Sequence, residues 1–355
     1  MNLLKLEIKK LFCRKTVFFM ILLTIFIQIT NFIFFDYTWG YSVIDNNGIV
    51  TYVNGQEAIN LRKQIGKQFY GELDKSLYEK IDQAIFQSRQ KYANYTQDEQ
   101  QNLMRKFNDQ KAILKYFTGD EINKIFIGYC DGWSKFITNF SNIIVLCIII
   151  LLIGGLSGIF ANEYETHMMY LLSASPARLG RLVKVKYLSA YIYTVLMFTV
   201  LFSFNLLLYA IYYGLSGAEC NIQASAIYVA SSYSFTFGQL AMFAYLGGIL
   251  GSITIASLIT FISLVARKTS LTMITSFLIL ISPLLFDFSD SMPKLQKCIE
   301  LLPSYFINAK EVYQKTNLFW GQPIQPILST SICLILSLVL YTISRKKIIK
   351  IEIID

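Results

Sequence analysis

The chain has 355 residues, of which 54% are apolar and only 15% charged, with a formal net charge of +9. Soluble domains carry about 25% charged residues, so this composition excludes an ordinary soluble enzyme and makes lipid the solvent for much of the chain. The basic residues are scattered over many short segments, which excludes a nucleic-acid-binding face and reads as a membrane topology signal.

Residues 1–16 read as an amphipathic entry helix. Leu4, Ile8, Leu11 and Phe12 share one face while Lys5, Lys9 and Lys10 occupy the rest. Such a helix suits the inner membrane interface, although an ordinary basic flank explains the same residues. The first span is expected over residues 17–35. Its apolar run is longer than a signal h-region and no small-x-small cleavage site follows, so it reads as a retained signal anchor. Further apolar stretches reach the roughly 20 residues a bilayer crossing needs. They are residues 140–161, 187–213, 235–266, 271–286 and 326–344, and none of the six carries Asp, Glu, Lys, Arg or His in its interior. The expected architecture is therefore an all-α membrane protein. It has six transmembrane helices and a large, mainly helical extracellular domain, residues 36–139, between the first two.

That domain opens on turn residues, Asn46-Asn47-Gly48 and Asn54-Gly55, which suit a small hairpin. Leu73, Leu77, Ile81 and Ile85 then draw one apolar helical stripe. Thr96-Gln97-Asp98-Glu99 reads as the start of a second helix, continuing through Leu103, Phe107 and Leu114. An aromatic exit (Phe126, Tyr129, Trp133, Phe136, Phe140) predicts an interfacial belt.

Within the spans, Gln28 and Asn31 stand at i, i+3 and line an interface or pathway, or make ordinary interhelical hydrogen bonds. Gly154, Gly155 and Gly158, and again Gly247, Gly248 and Gly251, create GxxxG spacings that let helix backbones approach. Packing within the chain is the favoured reading over a pathway hinge. Pro283 is expected to kink the fifth span. Pro293 is expected to open a short helix bearing Leu295, Ile299 and Leu302 in the segment 287–325.

Orientation follows from the short loops. With the N-terminus inside, the inner segments hold Lys5, Lys9, Lys10, Arg14 and Lys15, then Arg178, Arg181, Lys184 and Lys186, then Arg267 and Lys268. The tail, residues 345–355, adds Arg345, Lys346, Lys347 and Lys350. This excess places both termini in the cytoplasm. Of six cysteines, Cys130, Cys220 and Cys298 would lie outside, and spacing does not decide whether any two are bridged.

Catalytic constellations are absent. There is no GxxxxGK[ST] phosphate loop, His167 is the only histidine, and no GxSxG elbow occurs. No catalytic, cofactor or metal site is expected in the chain. Coupled transporters place ionisable groups at membrane depth, so spans without them leave the driving force to come from elsewhere.

The cytoplasmic loop 162–186 supplies a place for it to enter. Glu163 and Glu165 precede a Leu171-Leu172 pair, Pro176 and Arg178, and then Lys184 or Lys186. This order resembles the loop of ABC-2 type permeases, the membrane subunits of ABC exporters. Their pattern runs E-x-E-x-G-T, Leu-Leu, Pro-x-Arg or Pro-x-x-Arg, and a Lys opening the third span. His167-Met168 stands where that pattern has Gly-Thr. The segment Leu4–Phe12 is similar to the family's entry helix, and Leu302-Pro303-Ser304-Tyr305-Phe306 with Ala309-Lys310 to its outer segment.

The resemblance implies a coupling helix that docks on a separate ABC ATPase subunit, present in two copies, which binds ATP and Mg. It also implies a second permease copy or related permease. Glu163 and Glu165 would make polar contacts, Leu171 and Leu172 apolar ones, and Pro176, Arg178 and Lys184 would complete the loop. The uncharged, aromatic spans suit hydrophobic or amphipathic cargo (a peptide, lipid or antibiotic) exported across the bacterial cell membrane. An alternative is an ABC-linked module for antimicrobial-peptide immunity or sensing through the outer domain, without transport.

Overall fold

The computed structural model describes residues 3–37, 41–44, 50–53, 55–72, 125–169, 176–225, 227–228, 231, 233–285, 293–314 and 324–354. Five helical segments are long and apolar enough to cross a membrane: Lys15–Tyr37, Val145–Glu165, Gly180–Tyr212, Phe237–Ala266 and Gln325–Ile349. The remaining apolar stretch forms a helix over Thr269–Leu285, 17 residues with Pro283 inside it. At about 1.5 Å per residue its described part falls short of a bilayer core. The chain is thus a multi-pass, all-α membrane protein among the described residues of its apolar part.

The chain begins with α1 (Leu3–Phe12), then α2 (Lys15–Phe32), which continues as a π-helical turn over Ile33–Tyr37. An antiparallel hairpin follows, β1 (Tyr41–Ile44) with β2 (Val50–Val53), pairing Tyr41 with Val53. Helix α3 (Gly55–Gln68) and a short pair, β3 (Gly71–Glu72) with β4 (Phe126–Ile127), complete the described part of this segment. The stripe from Leu73 to Ile85 and the helix start expected at Thr96 lie outside the described residues.

Helix α4 (Asp131–Asn139) runs through a second π-helical turn, Phe140–Ile144, into α5 (Val145–Leu156) and α6 (Gly158–Glu165). The long α7 (Pro176–Tyr212) returns. Next comes α8 (Phe237–Ala266), opened by a capping box in which Gln239 N–H donates to Thr236 Oγ1 and Thr236 N–H to Gln239 Oε1. Then come α9 (Thr269–Leu285) and three short helices, α10 (Pro293–Ile299), α11 (Pro303–Phe306) and α12 (Ala309–Gln314). Helix α13 (Gln325–Ile354) ends the described chain.

Helix α8 is the hub, packing on α5, α7, α9, α11 and α13. Its glycines serve this packing. A Cβ on Gly251 would stand 2.7 Å from Ile307 Cγ1, and one on Gly247 3.3 Å from the Phe306 ring, so both seat the α11 turn. Gly248 faces Phe198, Gly154 the thioether of Met20, and Gly155 the Tyr193 ring. Tyr305 reaches back from α11 to donate its hydroxyl to Pro283 O at 3.2 Å, using the backbone around the proline.

Phe136 and Phe140 do not join an interfacial belt. Both are buried, Phe136 edge-on to Phe202 and Phe140 edge-on to Phe198 and Phe202, because α4 and the turn that follows it lie on α7 and turn this face inward. Outward faces carry the opposite pattern. Phe19 on α2, Leu278 on α9 and Ile335 on α13 are all exposed, as lipid-facing side chains are in a bundle surrounded by hydrocarbon rather than water.

Candidate functional site

The residues that matter converge on the end of α6, at the bundle end that carries α1. Lys186, on α7, is fully buried, and its Nζ donates to Glu163 Oε1 at 2.7 Å and to Ile159 O at 2.5 Å. Glu7 Oε2 of α1 lies 3.6 Å away, and the Phe160 ring sits under the ammonium at 5.1 Å. Lys10, also on α1, reaches the same Glu163 oxygen at 3.4 Å. Two carboxylates thus face two ammonium groups, Lys186 buried and Lys10 reaching in from the exposed side. An unpaired charge there would carry a heavy desolvation cost.

Glu165 points the other way. Its Oε1 accepts from Thr269 N at 2.8 Å and its Oε2 from Thr269 Oγ1 at 2.9 Å, and Asn162 Oδ1 accepts from the same hydroxyl at 2.8 Å. A carboxylate in this place satisfies orphan N–H groups and faces the positive end of α9. Arg267, which ends α8 in the left-handed conformation, places its guanidinium over the Tyr164 ring at 5.1 Å.

One turn earlier the span itself is interrupted. Ser263 of α8 donates its hydroxyl to Ser157 O at 2.6 Å and accepts from Ala161 N at 3.0 Å and Phe160 N at 3.1 Å. α5 and α6 meet at Ser157, and there two backbone N–H groups and one carbonyl bond a side chain of another helix, an insertion of the kind that accompanies a break in the ladder. Gly158 lies directly beyond the break, its absent Cβ leaving room for Asn162.

His167 closes α6 with φ of +57°, and its N–H bonds Tyr164 O at 3.1 Å. This is the left-handed stop that glycine adopts freely. The turn implied by a Gly-Thr pattern is thus retained with histidine in the glycine's place.

Of the residues singled out from sequence, Glu163, Glu165 and Lys186 come together here, and Asn162 joins them. Lys184 is exposed on α7, whereas Lys186 is the lysine turned inside. Pro176 and Arg178 fall in the first turn of α7. Leu171 and Leu172 lie outside the described residues.

Gln28 is buried on α2 with neither amide atom hydrogen-bonded, and Asn31 lines a cavity at the far end of the bundle. The same end holds a second buried pair, Asp36 with Lys135 at 2.7 Å. The spans are thus uncharged in their middles but ionic at both ends. Asp36 escaped sequence reasoning because it sits at an expected span boundary, where a charge reads as a flank, and the loop pattern left Lys184 and Lys186 undivided. The cysteines are all unbridged thiols.

No curated protein and no solved structure was found to match the chain. The family model of the ABC-2 family transporter proteins matches residues 1–290, which takes in α1, the Glu163 node and the helices that converge on it. The chain belongs to the ABC-2 family transporter proteins, a family of membrane permease components that implies an ABC transporter system with an ATPase partner.

Proposed function

We propose that this permease is the membrane half of an ATP-driven exporter in the bacterial plasma membrane, with both termini cytoplasmic. Two copies of the partner ATPase bind ATP and Mg, and a second permease copy completes the pathway. Hydrophobic or amphipathic molecules are the cargo. The loop following Glu165, including Leu171 and Leu172, docks on the ATPase, and Pro176, Arg178 and Lys184 lead it back to the membrane.

One observation carries this reading. The short segment Asn162–Glu165, at the root of that loop, is tied at once to α1 through Lys10, to α7 through Lys186 and to α9 through Thr269. A push delivered to the loop therefore reaches three helices besides its own. A buried, charge-balanced joint favours movement as a unit, because sliding it apart would strand a charge.

The test is co-purification of the permease with its ATPase after Leu171→Asp and Leu172→Asp are introduced together. Loss of the ATPase, with the helical circular-dichroism signal unchanged, is expected. Undiminished co-purification would sink the docking assignment.

A further inference from the structure

The far end of the bundle holds a cavity of about 210 Å³, lined by Asn31, Phe35, Asp36, Lys135, Ile143 and Ile227, among others. Two π-helical turns border it, Ile33–Tyr37, which contains Asp36, and Phe140–Ile144 beyond Asn139. Such turns swing side chains out of helical register and occur often at functional sites. A space of this size exceeds a single water, which occupies about 30 Å³, yet it is below the range of pockets that swallow a drug-sized ligand. It suits a small polar headgroup whose apolar remainder lies outside. Phe35, 61% exposed, marks the outward rim.

The two charges at the cavity are not equivalent. Asp36 is buried and held from several elements. Tyr209 of α7 donates its hydroxyl to Oδ2, Asn139 donates to the same oxygen at 3.4 Å, and Tyr213 donates to the Asp36 carbonyl at 3.3 Å. Lys135 Nζ supplies the ion pair at 2.7 Å and also contacts Tyr213 OH at 2.9 Å. Its side chain, however, stays 27% exposed. A lysine on a four-carbon stem can move its ammonium into water while its stem remains in place. The carboxylate has no such route. Exchange at this pair is therefore one-sided: the carboxylate stays and the ammonium is the replaceable partner. An incoming anion would meet Asp36 beside it, whereas an incoming ammonium would inherit a ready-made acceptor.

We propose that Asp36 is the binding group of an outer-end site for the primary ammonium of an amphiphile, with Lys135 as its tethered internal occupant. The N–H donors of the incoming ammonium replace those of Lys135 at Asp36, and its chain leaves past Phe35 and Ile143. This inference goes beyond the coupling reading and is tested without the ATPase, so failure of either leaves the other standing.

The experiment titrates dodecylamine into the full chain in phosphatidylcholine nanodiscs by calorimetry, with empty nanodiscs subtracted. Dodecyltrimethylammonium, which has the same charge and chain but no N–H, is the control. Saturable binding of the amine and none of the quaternary ion is expected. Lys135→Met should tighten binding by about tenfold, since it removes a competitor that occupies the site most of the time. The double variant Asp36→Asn with Lys135→Met leaves no buried orphan charge, so it should retain its helical signal and lose binding. Equal binding of both probes to the wild type would overturn the proposal, as would undiminished amine binding by the double variant. Repeating the titration with phosphatidylethanolamine in the discs identifies the source. A weakened apparent affinity assigns the site to the lipid's own ammonium, and an unchanged one to a free amphiphilic amine.

Discussion

Lys186 and Glu163, 23 positions apart, bring their charges to 2.7 Å where the lysine has no exposed surface and the carboxylate almost none. Neither charge is tolerable there alone. Lys186→Met or Glu163→Gln should each lower stability by about 3–5 kcal/mol, the usual cost of breaking a buried pair from one side. The double replacement should cost clearly less than the two single losses combined. Thermal unfolding of the detergent-solubilised protein measures this. Additive losses would show that the two groups do not act as a pair.

His167 occupies a glycine conformation. Left-handed backbone costs an L-residue with a side chain about 1–2 kcal/mol, so His167→Gly should stabilise the protein by about 1 kcal/mol. His167→Val should destabilise it, because β-branching aggravates the clash. The two substitutions are expected to shift the unfolding midpoint in opposite directions.

Gly251 and Gly180 make a matched comparison, since both are helical glycines. A Cβ at Gly251 would press on Ile307 Cγ1 at 2.7 Å and Pro303 O at 3.1 Å, whereas one at Gly180 meets nothing within 4 Å. Gly251→Ala should cost about 1–3 kcal/mol through overpacking. Gly180→Ala should instead gain up to about 1 kcal/mol from helix propensity. Chemical denaturation of each variant checks the difference in sign.

Thiol reactivity offers a test of burial and of orientation together. Burial pushes the Cys130 thiol up to about 12 and the Cys220 thiol to about 11. Only thiolate reacts, so both should resist maleimide at pH 8, and labelling of Cys220 should rise as pH approaches its pKa. Cys13 and Cys298 are exposed. With the proposed topology, an impermeant maleimide should modify Cys298 on intact cells and Cys13 only after permeabilisation. Mass spectrometry of the labelled peptides reads out each site.

The apolar runs were legible in sequence because lipid imposes a simple rule on length and composition. Glu163 and Glu165 were also legible, though only as members of an ordered pattern. Their partners were not. Lys186 stands two positions from Lys184 with only Val185 between them, and which of the two lysines faces inward depends on how α7 rotates against α5 and α1. The pairing of Asp36 with Lys135 joins residues almost a hundred positions apart through a helix, α4, that the sequence read as part of the outer domain. Phe136 and Phe140 show the same limit. Their aromatic character suits a headgroup belt or a core equally well, and only the contact with Phe198 and Phe202 decides.

The Ser263 hydroxyl set between Ser157 and Ala161 has a mechanical meaning. A helix whose ladder closes on itself can bend without consulting its neighbours. This one is also tied at its break to Ser263 of α8, the helix on which the rest of the bundle packs. The hydroxyl belongs to both helices at this point, so Ser263→Ala would leave the short end joined to α8 by packing alone there.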